Sequence, residues 1–410
     1  MKYGLLGRRL PHSLSPLIHT KTGALPYELC ELEPECVEEF FKKREFDGIN
    51  VTIPYKKTAL ELCDEQSPLA RRIGAVNTVV KRCDGTLYGD NTDHYGLRCM
   101  FEKNGISPRG KKALILGTGG SSLTAHAVLE DLGAGQIVYI SRSGENNYSN
   151  LHLHADAAVI VNTTPVGMFP DRIKESPLDL GIFPNLEGVV DLIFNPLNTA
   201  LVLDARQRGI KATGGIMMLV RQGFRAAEQF LNCSYTEEEM VTAEQEVLET
   251  VENIVLVGMP GCGKSTLGQL LAKKLGREFI DTDSMIEEKY GNIPDIFAQH
   301  GEEYFRCLES DAVFEASIKQ GKIIATGGGA VLREENRRYL HHNGRVIFLN
   351  RDINALPKDG RPLSQGDNAL EKMYQKRLPI YRQTCDIEMQ VQNDISEKRE
   401  EEGMTEQRES

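Results

Sequence analysis

The sequence predicts an α/β protein made of two consecutive units, and three observations predict it. Residues 1–98 alternate short apolar runs with helical segments, the rhythm of layered strands and helices. A glycine-rich turn, Gly117-Thr118-Gly119-Gly120-Ser121-Ser122, joins the apolar run Lys112–Leu116 to an apolar helical segment. A second, Gly258-Met259-Pro260-Gly261-Cys262-Gly263-Lys264-Ser265, joins Asn253-Ile254-Val255-Leu256-Val257 to a helical pattern from Thr266 to Leu275. Strand–turn–helix joints of this kind place backbone N–H groups and a helix N-terminus where a phosphate can sit.

Bulk properties narrow the function classes. A chain of 410 residues with 40% apolar content holds two or three domains with real cores. No run approaches the roughly 20 apolar residues that span a bilayer, and the N-terminus is too short and Gly-rich for a signal segment. Nine cysteines are scattered without ligand spacing, which predicts neither disulfides nor zinc and points to a cytoplasmic location. The net charge of −11 argues against a nucleic-acid partner, whereas small anions remain open to local arginines. Oligomeric state is not legible.

In the first unit, Pro11-His12-Ser13-Leu14-Ser15-Pro16 opens a helical segment. Ser15 before Pro16 fits an N-cap, a purely structural role. Gly48-Ile49-Asn50-Val51-Thr52-Ile53-Pro54-Tyr55-Lys56 is a strand ending in a turn that presents a lysine, which alone reads as a solvated group. Ala75-Val76-Asn77-Thr78-Val79-Val80 puts polar groups inside a strand, where burial demands partners. Gly89-Asp90-Asn91-Thr92-Asp93 closes the region.

In this order, HSLSP, NVTIPYK, AVNTV and GDNTD resemble the shikimate dehydrogenase family, over roughly residues 1–230. The resemblance implies that Ser13 and Ser15 bind the substrate carboxylate and that Thr52, Asn77 and Gln222 add substrate contacts. It places Lys56 and Asp93 beside the hydroxyl or keto group being interconverted. A substrate domain is then expected over 1–98 plus 214–235, with a Rossmann-like NADP domain over 99–213. Gly117, Gly119, Gly120 and Leu192 would face the cofactor, with Gly215 near its nicotinamide. Ser141-Arg142-Ser143, at the end of the following strand, has hydroxyls and an arginine where an NAD site has Asp or Glu, which suits a 2′-phosphate. Phe194 stands where the family has a tyrosine on the substrate, a loss of about 0.5–1.5 kcal/mol of binding. Met217 and Met218 read as core.

Residues 236–252 are acidic, with thinly spaced apolar positions, and predict a helix end and a solvated linker. Beyond the Gly258 loop, Glu278-Phe279-Ile280-Asp281-Thr282-Asp283 reads as a strand end whose two carboxylates, at i and i+2, share one side. Asp283 could equally cap a helix from Ser284. Phe305-Arg306 lies on a helix, and Ile323–Val331 is a strand ending in Gly327-Gly328-Gly329, where backbone approaches a ligand.

With GRPL at 360–363 and KRLPIYR at 376–382, this set resembles shikimate kinase over roughly 252–385. The resemblance implies a P-loop domain with a parallel five-stranded sheet over 253–395. ATP would bind at Gly261, Cys262, Gly263, Lys264, Ser265, Thr266 and a lid residue, Arg361, with Mg²⁺ at Ser265 and Asp281. Asp283 would bind substrate hydroxyls and act as base, while Arg306 and Arg377 hold the substrate carboxylate and Gly328 touches the ring. Cys262 reads as a small loop filler. The lid, 351–364, is short, the arginine expected near Asp394 is missing, and 396–410 is charged and expected to be disordered. Together the halves imply an enzyme that reduces 3-dehydroshikimate with NADPH and phosphorylates shikimate with MgATP. The alternatives are a quinate dehydrogenase using NAD in the first half, or one half acting only as a binding or regulatory module.

Overall fold

The computed structural model describes residues 1–11, 13–356 and 369–391. His12, Arg361, the GRPL run, Asp394 and the 396–410 tail therefore lie outside the described residues. The chain divides into two compact units, 1–249 and 250–410.

The first unit contains two sheets. One is built from β1 (Tyr3–Gly7), β2 (Tyr27–Glu31), β3 (Gly48–Val51), β4 (Glu65–Gln66), β5 (Thr78–Lys81) and β6 (Leu87–Asp90), in spatial order β2-β1-β3-β5-β6-β4. It is mixed: β5 runs antiparallel to both β3 and β6, and the remaining pairs are parallel. The second is wholly parallel, from β7 (Lys112–Leu116), β8 (Gln136–Ile140), β9 (Val159–Asn162), β10 (Gly188–Asp191) and β11 (Lys211–Thr213), ordered β11-β10-β9-β7-β8. Its central strands are buried throughout, as continuous apolar runs between helix layers should be. The chain leaves β7 first to one side and then to the other, which opens a crevice at the carboxyl ends of these strands.

The second unit has β12 (Asn253–Val257), β13 (Phe279–Asp281), β14 (Ile323–Ala325), β15 (Gly344–Asn350) and β16 (Ile387–Gln390), all parallel, ordered β13-β14-β12-β15-β16. This is the five-stranded parallel sheet expected. Val255, Leu256, Val257, Ile324, Val346 and Phe348 form its core, on which Tyr381 stacks over Phe348.

The solvated linker expected over 236–252 is not observed. Glu237–Val251 is a 15-residue helix. Met240, Ala243 and Val247 share one face (i, i+3, i+7) and pack on Ile18, Val220 and Phe224. Its acidic residues are paired, not solvated: Glu237 receives both Nη atoms of the buried Arg221 at 2.7 and 2.9 Å, and Glu246 meets Lys21 at 2.7 Å. The apolar face escaped notice because an alanine occupies its middle and glutamates dominate the composition.

Candidate active sites

In the first unit, β3 ends just before the turn that presents Lys56, and β6 ends just before the helix Asp93–Lys103. Lys56 Nζ donates to Asp93 Oδ2 at 2.5 Å, with both side chains largely buried. Asn77 binds the same segment: its Oδ1 accepts from the Thr92 backbone at 2.7 Å, and its Nδ2 donates to Thr92 Oγ1 at 3.1 Å and Gln222 Oε1 at 3.4 Å. Gln222 comes from the helix Ile216–Leu231, so residues far apart in the chain meet on one wall. Thr52 places its methyl group against Gly7 at the end of β1.

Ser15 does not cap its helix. Leu14 occupies the cap position without a side-chain bond, and the Ser13 hydroxyl instead accepts from the Ser15 backbone at 3.3 Å. The Ser15 hydroxyl faces Tyr27, which donates to Asn50 Oδ1 at 2.8 Å. Asn50 continues to Thr78 Oγ1 at 3.1 Å and Thr78 to Asn77 Oδ1 at 3.1 Å, so a buried chain of polar groups joins Ser15 to Gln222. His19 stacks on Tyr27 and contacts Asn50, and burial lowers its pKa to about 4, which keeps it neutral. Tyr27, Asn50 and Thr92 were not singled out in the sequence, although Asn50 and Thr92 stand inside the motif runs.

In the parallel sheet, Gly117, Ser141–Ser143 and Leu192 all follow strands at the same edge. Helix Gly120–Asp131 starts there with Gly119 at its cap. A Cβ on Gly119 or Gly120 would meet nothing within 4 Å, so this turn leaves room for a pyrophosphate; Arg142 is exposed beside it. The residues fit a dinucleotide. Gly215 is fixed by close approach, since a Cβ there would collide with the Leu192 carbonyl oxygen. Behind this edge, buried Asp191 accepts from Thr199 Oγ1 at 2.7 Å, Asn162 Nδ2 at 3.1 Å and the Ile193 backbone at 3.1 Å. Burial nonetheless pushes its pKa up to about 6. Met218 is buried and Met217 packs on the same core.

In the second unit, Gly263 at φ 100° ends the loop in a conformation that side chains disfavour, and helix Lys264–Leu275 follows. Lys264 Nζ donates to the carbonyls of Gly258 and Met259 at 2.9 and 3.0 Å, and Cys262 is fully buried as a filler. Thr266 follows Ser265 in the first helical turn. Ser265 Oγ donates to Asp281 Oδ2 at 2.7 Å. This exposed pair of hard oxygen donors beside a phosphate loop fits Mg²⁺, which keeps most of its waters.

The two carboxylates do not share a strand face. Asp281 ends β13 and caps helix Thr282–Tyr290 through Oδ1, which accepts from the Asp283 and Ser284 backbones at 3.0 and 3.4 Å. Asp283 lies inside that helix and caps nothing. Its Oδ1 is buried with no hydrogen-bond partner among the described residues, and its pKa is raised to about 6, first by burial and then by Asp281. Gly327 lies against both Asp283 Oδ1 and Glu309 Oε1. Arg306 Nη1 donates to buried Glu309 at 2.7 Å, and Nη2 to Glu302 at 3.0 Å. Arg377 Nη1 and Tyr381 Oη both donate to the Gly328 carbonyl, at 2.9 and 2.5 Å, while the Cα of Gly328 faces Pro260 of the phosphate loop. Glu309 was missed in the sequence; its signal is the i+3 spacing from Arg306 on a helix.

Residues 5–79 match the family model for the shikimate dehydrogenase substrate binding domain. A shikimate dehydrogenase (NADP(+)) of Clostridium beijerinckii is 35% identical over 252 residues, 56% of this chain and 92% of the relative. This chain belongs to the shikimate dehydrogenase family. Residues 260–407 match the family model for shikimate kinase, so a kinase domain follows the dehydrogenase.

Solved shikimate dehydrogenases agree with the fold. That of Peptoclostridium difficile is 34% identical with a TM-score of 0.55, over 60% of this chain and 98% of its own. The enzyme of Thermus thermophilus, solved with NADP(H) and shikimate, is 30% identical with a TM-score of 0.54, over 60% and 99%. A chorismate mutase/shikimate 5-dehydrogenase fusion of Clostridium acetobutylicum is 33% identical with a TM-score of 0.56, over 60% and 96%. In the dehydrogenase part, the motif-bearing lobe corresponds to the sheet of β1–β6 and the glycine-turn lobe to that of β7–β11.

Proposed function

We propose that this chain catalyses two consecutive reactions: NADPH-dependent reduction of 3-dehydroshikimate to shikimate, and MgATP-dependent phosphorylation of the shikimate 3-hydroxyl. One observation carries the first assignment: a buried lysine and carboxylate 2.5 Å apart at the mouth of two strand ends. NADPH, when bound, supplies the hydride. Lys56 then donates a proton to the ketone oxygen as alkoxide charge develops, and Asp93 orients the ammonium. The two groups share the proton load as one unit. Ser13 and Ser15 would take the substrate carboxylate, with Thr52, Asn77 and Gln222 on its hydroxyls. Gly117, Gly119, Gly120, Leu192 and Gly215 would border the cofactor, and Arg142 with Ser141 and Ser143 would take a 2′-phosphate.

The kinase assignment rests on the buried, unpartnered Oδ1 of Asp283. MgATP, when bound, supplies the phosphoryl group at the Gly261–Thr266 turn. Asp283 would accept the proton of the attacking hydroxyl, and Lys264 would exchange loop carbonyls for phosphate oxygens. Arg306 and Arg377 would take the substrate carboxylate, with Gly328 against the ring. Arg306 is held by buried Glu309 on one side, and on the other a substrate carboxylate would take the place of the exposed Glu302. The partners in this reading are small molecules, and its setting is the cytoplasm.

One assay tests the whole reading. Purified chain receives 3-dehydroshikimate, NADPH and MgATP, and shikimate and its phosphate are followed separately. Formation of both is expected; preference for quinate and NAD, or nucleotide consumption independent of the acid, rejects it.

A further inference from the structure

Helix Gly120–Asp131 begins at the glycine turn and ends, 12 residues and about 18 Å later, at Asp131. There the carboxylate does two things. It receives Arg72 bidentately, Nη1 to Oδ1 at 2.8 Å and Nη2 to Oδ2 at 2.6 Å, and it receives His94 Nε2 at Oδ2, 2.8 Å away. Arg72 lies on helix Pro68–Ile73, and His94 directly follows Asp93. Beside these contacts Ile73 and Ala75 pack against Ala127, with Leu69 and Leu123 at the margin.

The segment 91–94 is otherwise held from its own lobe: Asn91 donates to the Ala75 carbonyl at 3.0 Å, and Asn77 takes the Thr92 N–H. Asp131 grips it from the nucleotide lobe. The bidentate arginine fixes the plane of the carboxylate, so Oδ2 is held towards a histidine ring that is itself buried. A helix is stiff along its axis, so movement at its first turn is delivered to its last.

We propose that Asp131 is a positioning residue for the reduction: acting through His94, it ties the Lys56–Asp93 pair to the helix whose first turn holds the cofactor. This rests on the NADPH-dependent reading above. Hydride transfer needs donor and acceptor within a fraction of an ångström of their productive geometry, and the two lobes hold one partner each. An anchor from the cofactor helix to the residue beside the catalytic carboxylate sets that spacing.

The test uses the full chain with Asp131→Leu, His94→Phe and both together. Each single change is expected to lower kcat for NADPH-dependent reduction about tenfold, and the double change no further, because both break the same Asp131–His94 contact. The primary isotope effect with deuterated NADPH should rise, and shikimate phosphorylation in the same preparations should stay within about twofold. Multiplying losses, or an unchanged kcat and isotope effect in Asp131→Leu, overturn the proposal. A readout without turnover accompanies this: NADP⁺ should shift the His94 imidazole resonances in the native chain and not in Asp131→Leu. Equal shifts in both overturn it. If Asp131→Leu does not fold, His94→Phe decides: it should lower kcat and raise the isotope effect with phosphorylation near normal, and an unchanged kcat and isotope effect overturn the proposal. A chain that binds NADP⁺ without reducing 3-dehydroshikimate rejects the substrate reading alone, and the resonance shift then decides the anchor. Failure to bind NADP⁺ rejects both.

Discussion

Lys56 and Asp283 make separable demands on one polypeptide. In the proposed reduction, Lys56→Ala would remove both the proton donor and the cation at the developing alkoxide, so NADPH-dependent turnover should fall by about 10²–10⁴-fold. Phosphorylation in the same preparation should be near normal; rates of both products, measured side by side, check this. Asp283→Asn should give the opposite pattern. Asp191 offers a pH signature instead. Its folded pKa is raised to about 6, above the ordinary aspartate value near 4, so the folded protein holds a proton there that the unfolded chain releases. Stability therefore falls as pH rises from about 4 to about 6, by roughly 2–3 kcal/mol from this group. Asp191→Asn should flatten that part of the stability curve, as read by denaturant melts at pH 4.5 and 6.5.

Among elements, the helix Glu237–Val251 shows what a composition-based reading cannot see. A glutamate-rich stretch reads as solvated, because its neighbours in space are invisible; here Arg221, Lys103 and Lys21 neutralise it. Val247 is fully buried on its apolar face. Val247→Asp would bury an unpaired charge, and a loss of about 3 kcal/mol or more in the stability of the first unit is expected, measured by urea unfolding. The glycine turns were legible for the opposite reason: their chemistry is local, fixed by strand, turn and helix within about twenty residues. Asp281 lies between these cases. Its presence near Ser265 could be read from the motif, but its place as helix cap depended on where β13 stops, and that moved Asp283 from strand to helix. Tyr27 stayed hidden because its meaning comes only from what it touches, and the i+3 spacing of Glu309 from Arg306 gained meaning only once both were buried.

For the molecule as a whole, two compact units with separate cores should unfold as two transitions. Calorimetry can assign them with ligands. NADP⁺ at about 100 times its Kd should stabilise one transition by roughly 2.7 kcal/mol, a rise of about 5–10 °C, and MgATP the other. Shikimate alone should raise both, since the reading gives each unit a pocket for it. A ligand that moves both transitions when it is NADP⁺, or neither when it is shikimate, contradicts that division.

The two oxygens of Asp281 face different ways, one towards the Ser265 hydroxyl and one towards the backbone that begins the next helix. In the proposed kinase reaction a cation would settle at the first and leave with each cycle while the second keeps its grip. In that reading Asp283, just beyond it in the same helical turn, would be spared the disturbance, since its backbone N–H is held by the other Asp281 oxygen. The carboxylate proposed as base would then not have to be rebuilt each time the nucleotide departs.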